Sequence, residues 1–246
     1  MSATRAYIAR WQRALLALGL LPLLATLLRA VWTMPADPPN LAAAVAARMD
    51  ESGVTHPLTA VLLNFRGYDT MLEIVVLWIA GLAAIALAPG PSAAQRPAHP
   101  VLIGLLRILA PALAMTAGYI LWAGGFRPGG AFQAGSIIGA GLVLASLAGL
   151  IRLHIGPGLR LGLGLGLIVF LAVACWSWTL TGELLHFPGA TDKLAILLIE
   201  GAATLSIGLI LLVLFDRLTA PSKSPSQSQS QSNPQSQSIN EKAPPP

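Results

Sequence analysis

Asp69 and Glu73 lie in the stretch "NFRGYDTMLE", residues 64–73, directly before the uncharged run "IVVLWIAGLAAIALA". Four residues apart, they share one face of a helix. Two carboxylates there can pass a proton or bind a cation such as Na+. A carboxylate in a membrane span is costly unless it is paired, hydrated or functional. The same residues also support a structural reading. Thr70-x-x-Glu73 is a capping box, in which the Thr70 hydroxyl accepts an amide hydrogen bond and Glu73 reaches back to the Thr70 amide. Arg66 then pairs with Asp69 across one turn. Spacing alone leaves both readings open.

A third carboxylate, Glu200, falls about 12 Å into the last apolar segment if that helix begins near Asp192. Its candidate partners are Arg107 and His154. The alternative is a neutral Glu hydrogen-bonded within a helix bundle. Glu183, His186 and Asp192 resemble a metal set in residue type only; their spacing matches no zinc pattern, so a solvated loop is expected. The single Cys175 excludes an intrachain disulfide and a cysteine ligand pair. No Ser/His/Asp or Cys/His constellation is visible. "LGLGLGL", residues 161–167, lacks a G-x-G-x-x-G pattern and reads as a helix-packing face.

The elements that must position these groups are membrane spans. Of 246 residues, 55% are hydrophobic and 10% charged, against roughly a quarter charged in soluble domains. The net charge of +5 comes without a dense basic patch, which argues against nucleic acid as a partner. Six apolar segments approach the roughly 20 residues a span requires: 12–33, 70–88, 101–123, 131–150, 161–181 and 193–215. The first is expected to be an uncleaved anchor kinked at Pro22.

The first loop reads as a short helix capped by Asn40, then an amphipathic segment from Pro57. That segment either lies along the membrane surface or continues into the second span. A continuous helix over 57–88 would be about 48 Å long, about 18 Å more than the hydrocarbon. A break near Gly67 or a protruding end is therefore required. Arg5, Arg10, Arg13, Arg96, Arg152, Arg160, Arg217 and Lys223 fall on one side of a six-span arrangement. The other short loops carry only Arg127 and Lys193. This asymmetry assigns both termini to the cytoplasm. The Ser/Gln/Pro-rich tail, 220–246, is expected to be disordered.

Around the opening stretch, "LLNFRGYDTMLEIVVLWIA" resembles a segment near the end of the large subunit of Mrp-type multisubunit Na+/H+ antiporters. The segment also occurs in a small subunit of membrane-bound hydrogenases. Phe65, Arg66, Gly67, Asp69, Thr70 and Glu73 fit; Asn64 replaces an acid and Leu72 a glycine. The resemblance implies that Glu73 lies on a cation or proton route. A second stretch, "LWAGGFRPGGAFQAGSIIGAGLVL" at 121–144, reads by itself as a tight turn followed by the packing motif Gly135-x-x-x-Gly139. It resembles the signature of the B subunit of the same antiporters, the MnhB/MrpB family. Pro128, Gly129, Gly130, Phe132, Gln133 and Gly135 fit, with Ala131 and Ala134 in place of glycines.

The expectation is thus an all-α integral membrane bundle of about six helices. Residues 1–100 form a two-span module, 101–219 a four-span MnhB/MrpB-like module, and 220–246 a tail. The resemblance implies a non-enzymatic subunit in the cell inner (plasma) membrane, without cofactor or metal. Its partners would be other antiporter subunits, Na+, H+ and lipid. The ion-path candidates are Glu73, Asp69 and Glu200. The rival is an ion-module subunit of a membrane-bound hydrogenase or related redox complex.

Overall fold

The computed structural model describes residues 2–35, 40–87, 100–185 and 192–219. The tail from 220 and His186 lie outside them. All regular elements among the described residues are helical, and they fall into two units, Met1–Ala46 and Ala47–Pro246.

The first unit holds α1 (Ser2–Trp32) and α2 (Leu41–Ala46). α1 runs unbroken through Pro22, and its large apolar side chains from Leu18 to Trp32 are exposed, as suits a surface facing lipid. Asn40 caps α2 as expected, its Oδ1 accepting from the Ala43 amide at 3.1 Å.

The second unit holds α3 (Pro57–Ala60), a widened turn at Val61–Phe65, then α4 (Gly67–Leu87), α5 (Pro100–Ala123), α6 (Ala131–Leu147), α7 (Pro157–Thr181) and α8 (Asp192–Leu218). Among the described residues, four helices are long and apolar enough to cross a membrane: Gly67–Leu87, Pro100–Ala123, Pro157–Thr181 and Lys193–Leu218. The two other expected spans correspond to shorter apolar helices, Ala17–Trp32 and Ala131–Leu147. These stand near the lower limit of about 17 residues for a transmembrane helix.

α8 is the axis of this unit. It packs against α4, α5, α6 and α7, and 61% of its most apolar stretch is buried, against 11% for α5. Glycines let the neighbours approach. A Cβ on Gly135 of α6 would stand 2.9 Å from the Ile207 Cβ, and one on Gly139 would stand 2.9 Å from Leu211 Cδ1. From α7, a Cβ on Gly166 would lie 3.0 Å from the Ala203 backbone. The "LGLGLGL" stretch is a packing face, as its spacing implied.

The required break precedes Gly67. The Arg66 amide bonds to the Val61 carbonyl at 2.7 Å, one residue wider than an α-turn, and Arg66 leaves helical geometry at φ −131, ψ 35. The expected capping box is not formed. α4 starts at Gly67, so Thr70 lies inside its first turn. Its hydroxyl donates to the Leu62 carbonyl at 2.6 Å, satisfying a group that the widened turn leaves available. Arg66 does pair with Asp69, with both side chains largely exposed.

Candidate functional site

Three elements bring Glu73, Glu200 and the Pro128-Gly129-Gly130 turn together. α4 carries Glu73 in its second turn, about 9 Å from its start. α8 carries Glu200, only 7% exposed. The turn between α5 and α6 lies against Glu200 and faces the same cavity as Glu73. Glu73, Glu200, Gly129 and Gly130, with Leu62, Thr70 and Gln133, line one cavity of about 280 Å³.

The glycines of the turn have distinct reasons. The Gly130 amide donates to the Ile120 carbonyl at 3.1 Å, closing the loop onto the end of α5. Gly130 adopts φ +109, where a side chain is strained. A Cβ there would also lie 2.8 Å from Glu200 Oε1. A Cβ on Gly129 would run into the Ile120 carbonyl oxygen. The bare backbone at Gly130 thus admits the carboxylate of Glu200, which accepts a hydrogen bond from the Ala131 amide. That amide opens α6, whose first N–H groups have no partner within the helix and whose positive end favours an anion. Glu200 therefore caps α6 across 69 positions of sequence, the difference between 200 and 131.

The expected partners of Glu200 are displaced accordingly. Arg107, exposed on α5, lies about 20 Å along that helix from the Ile120 end near Glu200. His154 is exposed in the connection after α6, at the far end of α6 from Ala131. Neither pairs with Glu200 among the described residues.

Glu200 also lines a second cavity, of about 360 Å³, with Thr55, Trp122, Gly125, Phe126 and Lys193. The loop forming its other wall is held in place. Thr55 and His56 amides donate to the Gly125 carbonyl at 3.0 and 3.1 Å, and the Thr59 hydroxyl donates to the Gly124 carbonyl. One buried carboxylate is therefore a wall common to two cavities. Glu73 opens onto one and Lys193 onto the other.

Asp69 is not among the residues lining either cavity; its partner is Arg66 at the exterior. Phe132 and Gln133 line the first cavity, Pro128 is exposed, and Gly135 packs on α8. Gly67 lies under Leu185. Cys175 is exposed on α7. Glu183 is also exposed. Among the described residues no three His, Cys, Asp or Glu side chains group as a metal site. Carboxylates with Thr and Gln oxygens are the donor chemistry that hard cations prefer.

Sequence reasoning missed Lys193 as a neighbour of the site. It also missed the burial of Asp216 and Arg217, 2% and 5% exposed, with Arg217 Nε 3.5 Å from Asp216 Oδ2. Adjacent opposite charges at the end of an apolar helix were the available signal.

Fold and site define a helical membrane protein with a buried carboxylate shared by two open cavities. Residues 101–222 match the family model of a domain related to the MnhB subunit of Na+/H+ antiporter. Residues 101–222 thus belong to the MnhB-related domain family. Two solved structures share its fold. One is a chain of the membrane-bound sulfane sulfur reductase, an archaeal respiratory membrane complex. Its TM-score is 0.64 and its identity 22%, over 86% of this chain and 100% of that one. The other is a chain of the Mrp complex from Dietzia sp. DQ12-45-1b, with TM-score 0.61 and 21% identity, over 87% of this chain and 26% of that one. No curated protein matches the chain.

Proposed function

We propose that this chain is a non-enzymatic membrane subunit of a multisubunit Na+/H+ antiporter complex, where it acts as scaffold and supplies part of an ion path. The observation that carries the reading is the position of Glu200, buried at the head of the central helix and common to two cavities. In this reading Glu73 receives a cation or proton on the open side and Glu200 relays it between the cavities, while Asp69 adds negative charge at the approach. A carboxylate can hold either ion, and exchanging one for the other is the elementary act of antiport. The α6 amide holds Glu200 in place during that exchange.

The site opens where α4, α6 and α8 begin. The arginine asymmetry supports assigning that end to the outside of the plasma membrane and both termini to the cytoplasm. The fold likeness, over 86% of the chain, extends beyond residues 101–222. This supports reading 1–100 and 101–219 as two modules joined in one subunit.

The test is Glu200→Gln in the assembled complex. Gln keeps an oxygen for the Ala131 amide but has no charge, so assembly should persist while Na+-dependent proton exchange in membrane vesicles is lost. Glu73→Gln should behave alike. Normal exchange by both variants at wild-type complex levels would overturn the reading. A second reading, the ion module of a redox complex, is favoured by the likeness to a sulfane sulfur reductase chain over its full length. Co-purification with metal-bearing redox subunits would select it.

A further inference from the structure

The two cavities that share Glu200 differ in their other charge. The first adds a carboxylate, Glu73, and its described lining residues include no basic side chain. The second adds an amine, Lys193, and apart from Glu200 its described lining residues carry no other charge. Lys193 stands two turns before Glu200 on α8, about 10 Å along the helix. Ile196 and Leu197 line the cavity between them, so all four share one helix face at i, i+3, i+4 and i+7. The other walls are mostly apolar, and little in them offsets the ammonium. Nothing local accounts for a lysine here. As the second residue of α8, it lies at the positive helix end, where a cation is unfavourable. A basic residue at this end also runs against the arginine asymmetry that sets orientation. Among the described residues no acid pairs with it, so its charge acts on the cavity it lines.

We propose that Lys193 bars metal cations from the second cavity, so that Na+ meets Glu200 only from the side of Glu73. A charge of one sign in a cleft with low-dielectric walls repels like ions from it. Protons are not barred in the same way. The ionised Glu200 can take a proton from water in the second cavity, which gives the neutral carboxyl and a hydroxide. That hydroxide is the ion the ammonium stabilises. The two cavities then serve different ions at one carboxylate. This assignment of ions rests on the antiport reading of Glu200; the charge difference between the cavities does not.

Single cysteines measure the charge of each cavity directly. Cys175→Ser removes the only native thiol. Thr55→Cys then places one in the second cavity and Leu58→Cys one in the first, both at exposed positions. The full chain in detergent is treated at low salt with a cationic and with an anionic methanethiosulfonate reagent. At position 55 the anionic reagent should react faster, and Lys193→Gln should shift the ratio of the two rates about tenfold toward the cationic one. Lys193→Arg should leave that ratio where it was. At position 58 the cationic reagent should react faster, and Lys193→Gln should not alter the ratio. An unmoved ratio at position 55 would overturn the proposal. So would equal shifts at both positions, because Lys193 would then act on the whole surface and not on one cavity. In the assembled complex, Lys193→Gln should raise Na+ flux unaccompanied by proton exchange about fivefold, while Lys193→Arg keeps the two coupled. Unchanged coupling in Lys193→Gln would overturn the assignment of ions. If Glu200→Gln exchanges normally, the antiport reading fails and the ion assignment with it, and the thiol rates alone decide the charge difference between the cavities.

Discussion

The turn at Pro128-Gly129-Gly130 and the run "LGLGLGL" look alike as glycine-rich sequence and serve different ends. In the turn, Gly130 has a left-handed φ of +109 and faces a carboxylate oxygen; its missing side chain makes room for a charge. In the run, Gly162, Gly164 and Gly166 are ordinary helical residues whose missing side chains bring other apolar groups close. A glycine bound to backbone geometry and a polar neighbour is hard to replace. One that only makes room is as replaceable as its neighbour is movable.

This difference orders the substitutions. Gly130→Ala should be the most severe, combining a conformation that costs about 1–3 kcal/mol for a residue with a side chain with displacement of Glu200 from the Ala131 amide. Thermal unfolding in detergent should show a clear loss of stability, and exchange activity should fall with it. A melting curve matching wild type would erase the distinction between the two stretches.

Next come Gly135→Leu and Gly166→Leu, which overpack α8 against Ile207 and against the Ala203 backbone. Each should cost about 1–3 kcal/mol, seen as lower yield of the intact complex and a lower melting temperature. If both variants purify with unchanged stability, close approach to α8 is not what these glycines provide.

The smallest effects belong to glycines with yielding neighbours or none. At Gly162 a Cβ would meet only Leu209 Cδ1, the end of a flexible side chain, at 2.7 Å, and at Gly104 nothing lies within 4 Å. Gly162→Ala should be near neutral. Gly104→Ala should gain up to about 1 kcal/mol from helix propensity. A loss at Gly162 as large as that of Gly135→Leu would show that side-chain mobility does not set the ranking.

What could be read from the chain alone is what depends on neighbours within a few turns. Apolar length located the helices of the bundle, Asn40 marked the start of α2, and the excess length of 57–88 required the break found before Gly67. The Arg66–Asp69 pair followed from their three-residue spacing, and Gly135 and Gly139 announced a close helix contact. The motif at Thr70 misled, because a capping box and a threonine inside a first turn have the same local sequence. Only the widened turn at Val61–Phe65 presents the Leu62 carbonyl that takes the hydroxyl.

The partners of Glu200 were decided by tertiary structure for the same reason on a larger scale. Periodicity places a carboxylate on a helix and at a depth, but not which helix end it faces. That depended on α8 becoming the axis of the bundle and on a loop whose glycines let the start of α6 reach the carboxylate. The burial of Asp216 and Arg217 was likewise hidden, since a charge at the end of an apolar run is solvated unless other helices close around it. The sequence determined which segments are apolar enough to enter a membrane, because transfer from water is a property of each segment. Which polar groups meet inside was left to the packing, because a buried charge takes whatever partner the neighbouring backbone brings within reach.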